Sequence, residues 1–598
     1  MLQFITLFIW NKKYLFLFIL LFSLVLSQRL VKHNGLLTTI ASDGTGYYAY
    51  LPAAIIYHDF DYSFFENSKN RINSIYNPGF GKQKGQTAAN KYYCGVSLCL
   101  LPFFILGVII SFFAGTDING YTDTFLMLVT IAPIIYFLLS VFYLSKIAAF
   151  FKIPKKSMIL FCLLFFFSTH IYHYVLQEPS MSHIYSFFAV SLFFYGFIKL
   201  LQQPNNKHFI LVGMFYGLAL LIRPTNSIVI LFIPFFFQNF KEFLLFSQSI
   251  FTTHLKKFSL GFLFFSTTIF TQFLFYYLQT GHFFIDSYQN ESFDFKHPQI
   301  INIFYSYKGG LFLYTPLILI VLLFVILSKH HWYKKTIFII CFSVFVYVIS
   351  SWWCWWYGGS FSNRAFIDIF PIVIIMSLFL YHQSKYKYKK WILMIAIPCI
   401  FCNQIMAYQY RNGFMGIADI TEEKYWDIFL NTDMHNINEK IKNKIISKGY
   451  IINTNKLDFE NTQLVENINK KGGYKSKLSC MVGRNNPYSY SMTQTFDNID
   501  SSKTIYVYAE CMIKKDDYVD NNIGLAIEID ENGQFRNWLF ASANQFKTQD
   551  DGWIKVSSIL KLEKHSLTKK HSIKVYATGN IYENYVDDLK YMVIVPFQ

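Results

Sequence analysis

Long hydrophobic runs recur from residue 14 to about residue 408, separated by short polar breaks, and then stop. About 20 apolar residues in a helix cross the roughly 30 Å hydrocarbon core of a bilayer, so the first two thirds of the chain read as a polytopic membrane domain. The first run, 14–27, follows Asn11-Lys12-Lys13. No small-residue cleavage site follows it and more runs come later, so it reads as a membrane helix with a cytoplasmic N-terminus rather than a signal peptide. Further spans are predicted at about 124–145, 157–176, 183–200, 209–222, 225–240, 259–279, 310–328, 336–353, 365–382 and 391–408, about eleven in all. The run 94–113 is apolar enough to span, but a crossing there would invert every later loop. It is expected to be a juxtamembrane or re-entrant helix on the outer face. The stretch 209–237 is too long for one upright span at about 1.5 Å per residue. Arg223-Pro224-Thr225-Asn226 interrupts it, and proline disfavours helix at the residue before it, so a short hairpin is expected.

After the last span the period changes. A polar stretch with helical character at 436–447 leads to alternating segments from about residue 475. Ile505, Val507, Ala509, Cys511 and Ile513 alternate with more polar or bulky partners, as do Ile523, Leu525, Ile527 and Ile529, and then Ile573, Val575 and Ala577. Half-buried strands separated by Asp/Asn/Gly turns predict an antiparallel sandwich. The chain thus divides into a membrane domain (1–410), a connecting region (411–474) and an all-β soluble domain (475–598). The ending Tyr585-Val586-Asp587-Asp588-Leu589-Lys590 resembles the last strand of jelly-roll carbohydrate-binding modules. Cys480 and Cys511 fall on apolar phases of their strands and are read either as a pair or as two buried thiols. Trp538 and Trp553 are read as sugar platforms or core residues.

Composition agrees with this division. Of 598 residues, 53% are hydrophobic and only 15% charged, against about 25% charged in a soluble domain. The formal charge of +17 does not point to nucleic acid, because much of the basic charge lies in short loops between apolar runs. These loops, at 146–156, 199–208, 241–257, 329–335 and 385–390, alternate along the chain and share the side of Lys12 and Lys13. That places the β domain outside. Cys399-x-x-Cys402 lies in an apolar run, where cysteine behaves as a small hydrophobe.

With this topology the unusual polar residues gather on the outer face. The first outer loop carries Asp43 in Ser42-Asp43-Gly44-Thr45-Gly46-Tyr47-Tyr48, together with His58, Asp59 and Asp61. The second is Gln177-Glu178-Pro179-Ser180-Met181-Ser182-His183, and the third the Arg223 turn. The fourth, about 281–310, has Asp286, Glu291, Asp294 and Lys308. The fifth runs through Trp352, Trp353, Cys354, Trp355, Trp356, Tyr357, Gly358 and Gly359 to Arg364. Singly, each has a plain reading: a solvated loop carboxylate, a helix-start glutamate, an interfacial histidine, snorkelling arginines, an aromatic belt. Together, carboxylates, arginines, glycines and indoles compose a site for an anionic, lipid-linked sugar. Ionisable groups near a bilayer are functional candidates by default.

At these residues the chain resembles the GT-C glycosyltransferases, polytopic enzymes that use polyprenyl-phosphate-linked sugars, such as protein O-mannosyltransferases and the lipid A aminoarabinose transferase. The resemblance covers roughly residues 1–410 and rests most on Asp43 followed by Tyr47 and Tyr48. Asp43 is followed by Gly44 where many relatives carry an Asp-Glu pair, and Arg223 stands where some relatives have lysine. The resemblance implies an inverting transfer from a polyprenyl-phosphate sugar to a glycan, lipid or protein acceptor, in a bacterial inner membrane with the catalytic face outside. Asp43 would be the base and Glu178 would orient the acceptor or support a divalent cation. Tyr47, Tyr48, His183, Arg223, Trp356, Tyr357 and Arg364 would bind substrate. Glycosyl transfer through an oxocarbenium-like state needs one carboxylate as base, and a phosphate leaving group needs only cations to hold it. A secondary transporter would favour repeated halves and midplane charges. A non-catalytic scaffold in envelope polysaccharide assembly would use the sandwich and tolerate loss of Asp43.

Overall fold

The computed structural model describes Phe16, Leu36 and residues 19–24, 39–65, 89–288, 291–329, 331–384, 386–417, 420–460, 468–469, 472–474, 476–495, 502–515, 523–531, 534–564, 571–579 and 583–597. Most of the first expected span, 14–27, and its flanking Lys12 and Lys13 lie outside the described residues. The chain forms two compact units. One comprises Met1–Ala407 with Ile417–Asp419, and the other Tyr408–Gly416 with Ile420–Gln598.

The first unit is helical, and its apolar helices make it a membrane protein. Among the described residues six helices are long and apolar enough to cross a bilayer: Gly95–Ala114, Asp123–Phe150, Ser182–Gln202, Leu255–Thr280, Trp332–Ser350 and Arg364–Gln383. The run expected to lie at the outer surface, 94–113, is thus a continuous helix with the length and apolarity of a crossing. Asn206–Ile222 and Pro316–Leu327 are shorter apolar helices. The expected span at 157–176 breaks into Lys155–Ser168 and Ile171–Leu176, and the last expected span lies within Tyr386–Arg411.

The expected hairpin at Arg223 takes a different form from two α-helices. Pro224 opens a 3-10 helix, Pro224–Phe236, which turns by 114° into the helix Phe240–Thr252. That last helix falls where a basic loop was expected. It buries none of its residues and exposes Phe240, Leu244, Leu245 and Phe251. Asn239 caps its N-terminus, accepting a hydrogen bond from the Glu242 amide at 3.0 Å.

A close approach positions the start of Gly95–Ala114. A Cβ on Gly95 would lie 2.3 Å from the backbone of Leu221 and Ile222, so only glycine lets the two helix ends meet there. This contact brings residues 89–94 beside Arg223.

Among the described residues the second unit holds ten strands: β1 (Gly449–Leu457), β2 (Ile468–Asn469), β3 (Ser479–Val482), β4 (Met492–Thr495), β5 (Ile505–Lys514), β6 (Gly524–Glu531), β7 (Gln534–Ser542), β8 (Ile554–Leu562), β9 (His571–Thr578) and β10 (Asn584–Pro596). They form two antiparallel sheets. One has the order β2-β3-β10-β5-β8 with β1 also on β10, and the other the order β4-β9-β6-β7. The alternating residues read as inward-facing, Val507, Cys511, Leu525, Ile527, Ile573 and Val575 among them, join one buried core fed by both sheets. Helix Met434–Ser447 and strand β1 lie in the stretch read as a connecting region, and β1 pairs with β10 over Gly449–Leu457. Cys480 and Cys511 are separate buried thiols. Trp553 is buried, whereas Trp538 is 45% exposed and stacks on Phe540 with ring centres 5.3 Å apart.

Replacing Gly95 by valine forces backbone apart at a helix–helix contact and should cost about 1–3 kcal/mol. Thermal unfolding in detergent checks this against Gly359→Ala, whose added methyl meets open space.

Candidate functional site

Asp43 is the first residue of the helix Asp43–Pro52. Its carboxylate therefore lies at the positive end of a helix dipole. Ser42, just before it, has φ 54° and ψ −133°. A non-glycine residue in that region stores on the order of 1–3 kcal/mol of strain. Gly44 follows, and a Cβ there would lie 2.0 Å from Ser180 Oγ. Glycine thus lets the helix start sit directly on the segment that carries Glu178 and Ser182.

Both oxygens of Asp43 are engaged. Tyr92 donates its hydroxyl to Oδ1 at 2.9 Å, and Arg364 donates from Nη2 to Oδ2 at 2.5 Å. Burial alone would raise the Asp43 carboxyl. The Arg364 charge, the hydrogen bonds from Tyr92 and Arg364, and the Lys91 charge outweigh it and hold the group below its ordinary value of 3.8. Asp43 is therefore ionised at neutral pH. Burial, reinforced by the Asp43 charge, pushes the Tyr92 phenol far up, so Tyr92 remains a hydrogen donor.

Arg223, at the end of Asn206–Ile222, makes the second ion pair. Its Nε approaches Asp368 Oδ2 at 2.9 Å, as a charge contact rather than an aligned hydrogen bond. Tyr357 lies within cation–π reach of both arginines, its ring centre 5.7 Å from the Arg223 guanidinium and 6.0 Å from that of Arg364. The turn that places this ring runs through positive φ at Tyr357 (56°). A third pair, Lys91 to Glu291 at 2.8 Å, links residues 89–94 to the 281–299 loop.

These groups enclose a cavity of about 430 Å³. Asp43, Tyr47, Arg223, Tyr357 and Arg364 line it, as do Lys91, Tyr92, Tyr288, Trp352 and Trp353. Charged groups and aromatic rings thus share its lining. Such a cavity can seat a small polar ring against the aromatic side chains, with an acidic group beside the cations.

Four residues singled out from the sequence lie elsewhere. Tyr48 is fully buried, donates to the Gly120 carbonyl and packs edge-on against Phe104 and Tyr121, so its place is in the helical core. His183 lies behind the cavity wall, with Nδ1 3.2 Å from Asp368 Oδ1. Glu178 is bound to His173 Nε2 at 3.0 Å and does not line the cavity. Burial would raise the Glu178 carboxyl, but the His173 charge and hydrogen bond and the Arg364 charge bring it below its ordinary value. Trp356 packs edge-on against Trp355 and lies under Lys308, while the neighbouring Trp352 and Trp353 line the cavity. Among the described residues no group of three or more His, Cys, Asp or Glu side chains could hold a metal ion.

Sequence reasoning missed Lys91, Tyr92, Tyr288 and Asp368. Only Asp368 left a signal. It is a lone carboxylate inside the apolar run Phe366-Ile367-Asp368-Ile369-Phe370, where an ionisable residue is a candidate by default. No protein-family model matches the chain, and no curated protein matches it.

The Asp43–Arg364 contact should appear as a coupling of about 0.5–3 kcal/mol in a double-mutant cycle of Asp43→Asn and Arg364→Gln, measured by thermal unfolding. Additive effects would mean that the two groups do not pair. The sign with pH follows from the lowered Asp43 carboxyl. The pair's contribution is complete above about pH 3.8 and is lost as pH falls through the lower folded value. Unfolding scans across this window should therefore show the wild-type advantage over Asp43→Asn shrinking with acid.

Proposed function

We propose that the protein is a membrane glycosyltransferase of GT-C type, moving a sugar from a polyprenyl-phosphate-linked donor to an envelope acceptor on the extracytoplasmic face. The observation that carries this reading is the convergence of Asp43, Arg223 and Arg364, far apart in the chain, with Tyr288, Trp352 and Trp353 on one cavity. In this reading about eleven segments cross the bilayer, Gly95–Ala114 is not one of them despite its length, the N-terminus is cytoplasmic, and the cavity and the β domain lie outside. In this reading the β domain is jelly-roll-like and binds carbohydrate.

In this reading the acceptor hydroxyl attacks the anomeric carbon from the face opposite the phosphate. The bond from that carbon to the phosphate oxygen breaks as the new glycosidic bond forms, which inverts the centre. Asp43 takes the hydroxyl proton. A carboxylate offers about four acceptor sites, so bonds from Tyr92 and Arg364 leave room for the acceptor hydroxyl. The phosphate leaves as an anion held by guanidinium, and no general acid is required. The aromatic side chains of the lining provide flat apolar faces for the sugar ring. In a site sheltered from water these charges act more strongly than in bulk solvent.

The test is transfer or hydrolysis from a panel of polyprenyl-phosphate sugars by purified protein in lipid, with an envelope extract as acceptor source. Asp43→Asn should lower turnover about 10²–10⁴-fold while donor binding persists. Donor binding without turnover by the wild type would favour a scaffold, and no binding of any donor would defeat the assignment.

A further inference from the structure

We infer that Arg223, rather than Arg364, is the phosphate-binding group of this site, and that buried Asp368 is the positioning residue that aims it. This rests on the glycosyltransferase reading above and assigns one part of its chemistry.

The two arginines differ in what remains of their donors. Arg364 gives Nη2 to Asp43 and Nη1 to Met181 Sδ at 3.3 Å, while its Nε is buried without a hydrogen-bond partner. Each Nη of its fork thus already carries one contact, the stronger of them to the Asp43 carboxylate. Arg223 is anchored by its inner edge instead. Nε meets Asp368, and Nη1 lies at the long distances of 3.4 Å from Ser182 Oγ and 3.5 Å from His183 Nε2. Its Nη2 has no such partner among the described residues, and the side chain lines the cavity. An arginine held from behind with its outer edge open is the geometry that an anionic oxygen requires.

Asp368 holds this arrangement from a fully buried position. Its second oxygen meets His183 Nδ1 at 3.2 Å, so that nitrogen carries the proton and Nε2 is turned toward Arg223. At the far end of the turn, Asn226 Nδ2 donates to Ser186 Oγ and to the Ala219 carbonyl, each at 2.8 Å. The Arg223-Pro224-Thr225-Asn226 turn is thereby held at both ends, Arg223 by Asp368 and Asn226 by Ser186 and the Ala219 carbonyl. An unpaired carboxylate in so apolar a setting is strongly disfavoured, so the network fixes Arg223 rather than merely touching it.

The test measures binding of a long-chain polyprenyl monophosphate, and of the corresponding uncharged polyprenol, to the full protein in nanodiscs. Wild type should prefer the phosphate. Asp368→Asn should weaken phosphate binding about tenfold or more and leave polyprenol binding unchanged, a split that a general loss of structure would not produce. In an Arg223→Gln background, Asp368→Asn should have no further effect on phosphate binding, because Asp368 acts only through that guanidinium. If Asp368→Asn does not fold, Asp368→Glu carries the test. It keeps the charge but displaces it, and should also weaken the phosphate selectively. Equal phosphate affinity in wild type and the Asp368 variant would overturn the anchor alone. Loss confined to Arg364→Gln would hand the phosphate to Arg364. Absence of any phosphate preference in the wild type would defeat the transferase reading and this assignment with it.

Discussion

Guanidinium groups mostly covered by an apolar helical unit have to be neutralised where they stand, and this requirement organises the site. Arg364 and Arg223 each find a carboxylate far away in sequence, Asp43 for one and Asp368 for the other. Removing one partner of such a pair leaves a charge in a medium that cannot solvate it, which is far costlier than the pair itself is stabilising. The pairs therefore act as constraints on the chain. The helix Asp43–Pro52 must begin beside Arg364, at the start of Arg364–Gln383. The Arg223 turn must pack against the start of Arg364–Gln383.

The two pairs are not equivalent. Asp43 is partly exposed at a helix start, lies next to a strained serine and meets the cavity directly. Asp368 has no exposure and touches only protein. Under the proposed chemistry this divides the labour. The exposed carboxylate is placed to exchange a proton, and the buried one to hold geometry. Tyr357 sets its ring within cation–π reach of both guanidinium groups, which offers each of two like charges an attractive face.

Much of the fold was legible in the sequence because it depends on local pattern. Runs of apolar residues marked the helices, and the period of two at 505–513 and 523–529 marked strands whose alternate residues are indeed buried. What failed locally was continuity. Prolines and polar breaks divide helices at 168–171 and 315, and Pro224 leads into a 3-10 helix instead of a second α-helix. The site was legible only in part. Asp43, Arg223, Tyr357 and Arg364 stood out as polar residues in unlikely surroundings. Tyr92 and Lys91 did not, because an ordinary tyrosine and lysine become site residues only through partners 49 and 200 positions away. Tyr48 was conspicuous beside Tyr47, yet successive helical residues point in directions about 100° apart, and Tyr48 turns into the core.

The place of β1 has a practical consequence for the β unit. Strand β10 runs through the middle of its sheet, with β5 on one side and β1 on the other over Leu589–Pro596. A fragment cut at residue 475, where the alternating pattern begins, would strip β1 away. It would leave a long row of open backbone amides and carbonyls flanked by Val593 and Val595, an edge that invites other chains to pair with it. A well-behaved soluble piece would have to start upstream of Met434, so that the helix and first strand travel with the sheets they complete.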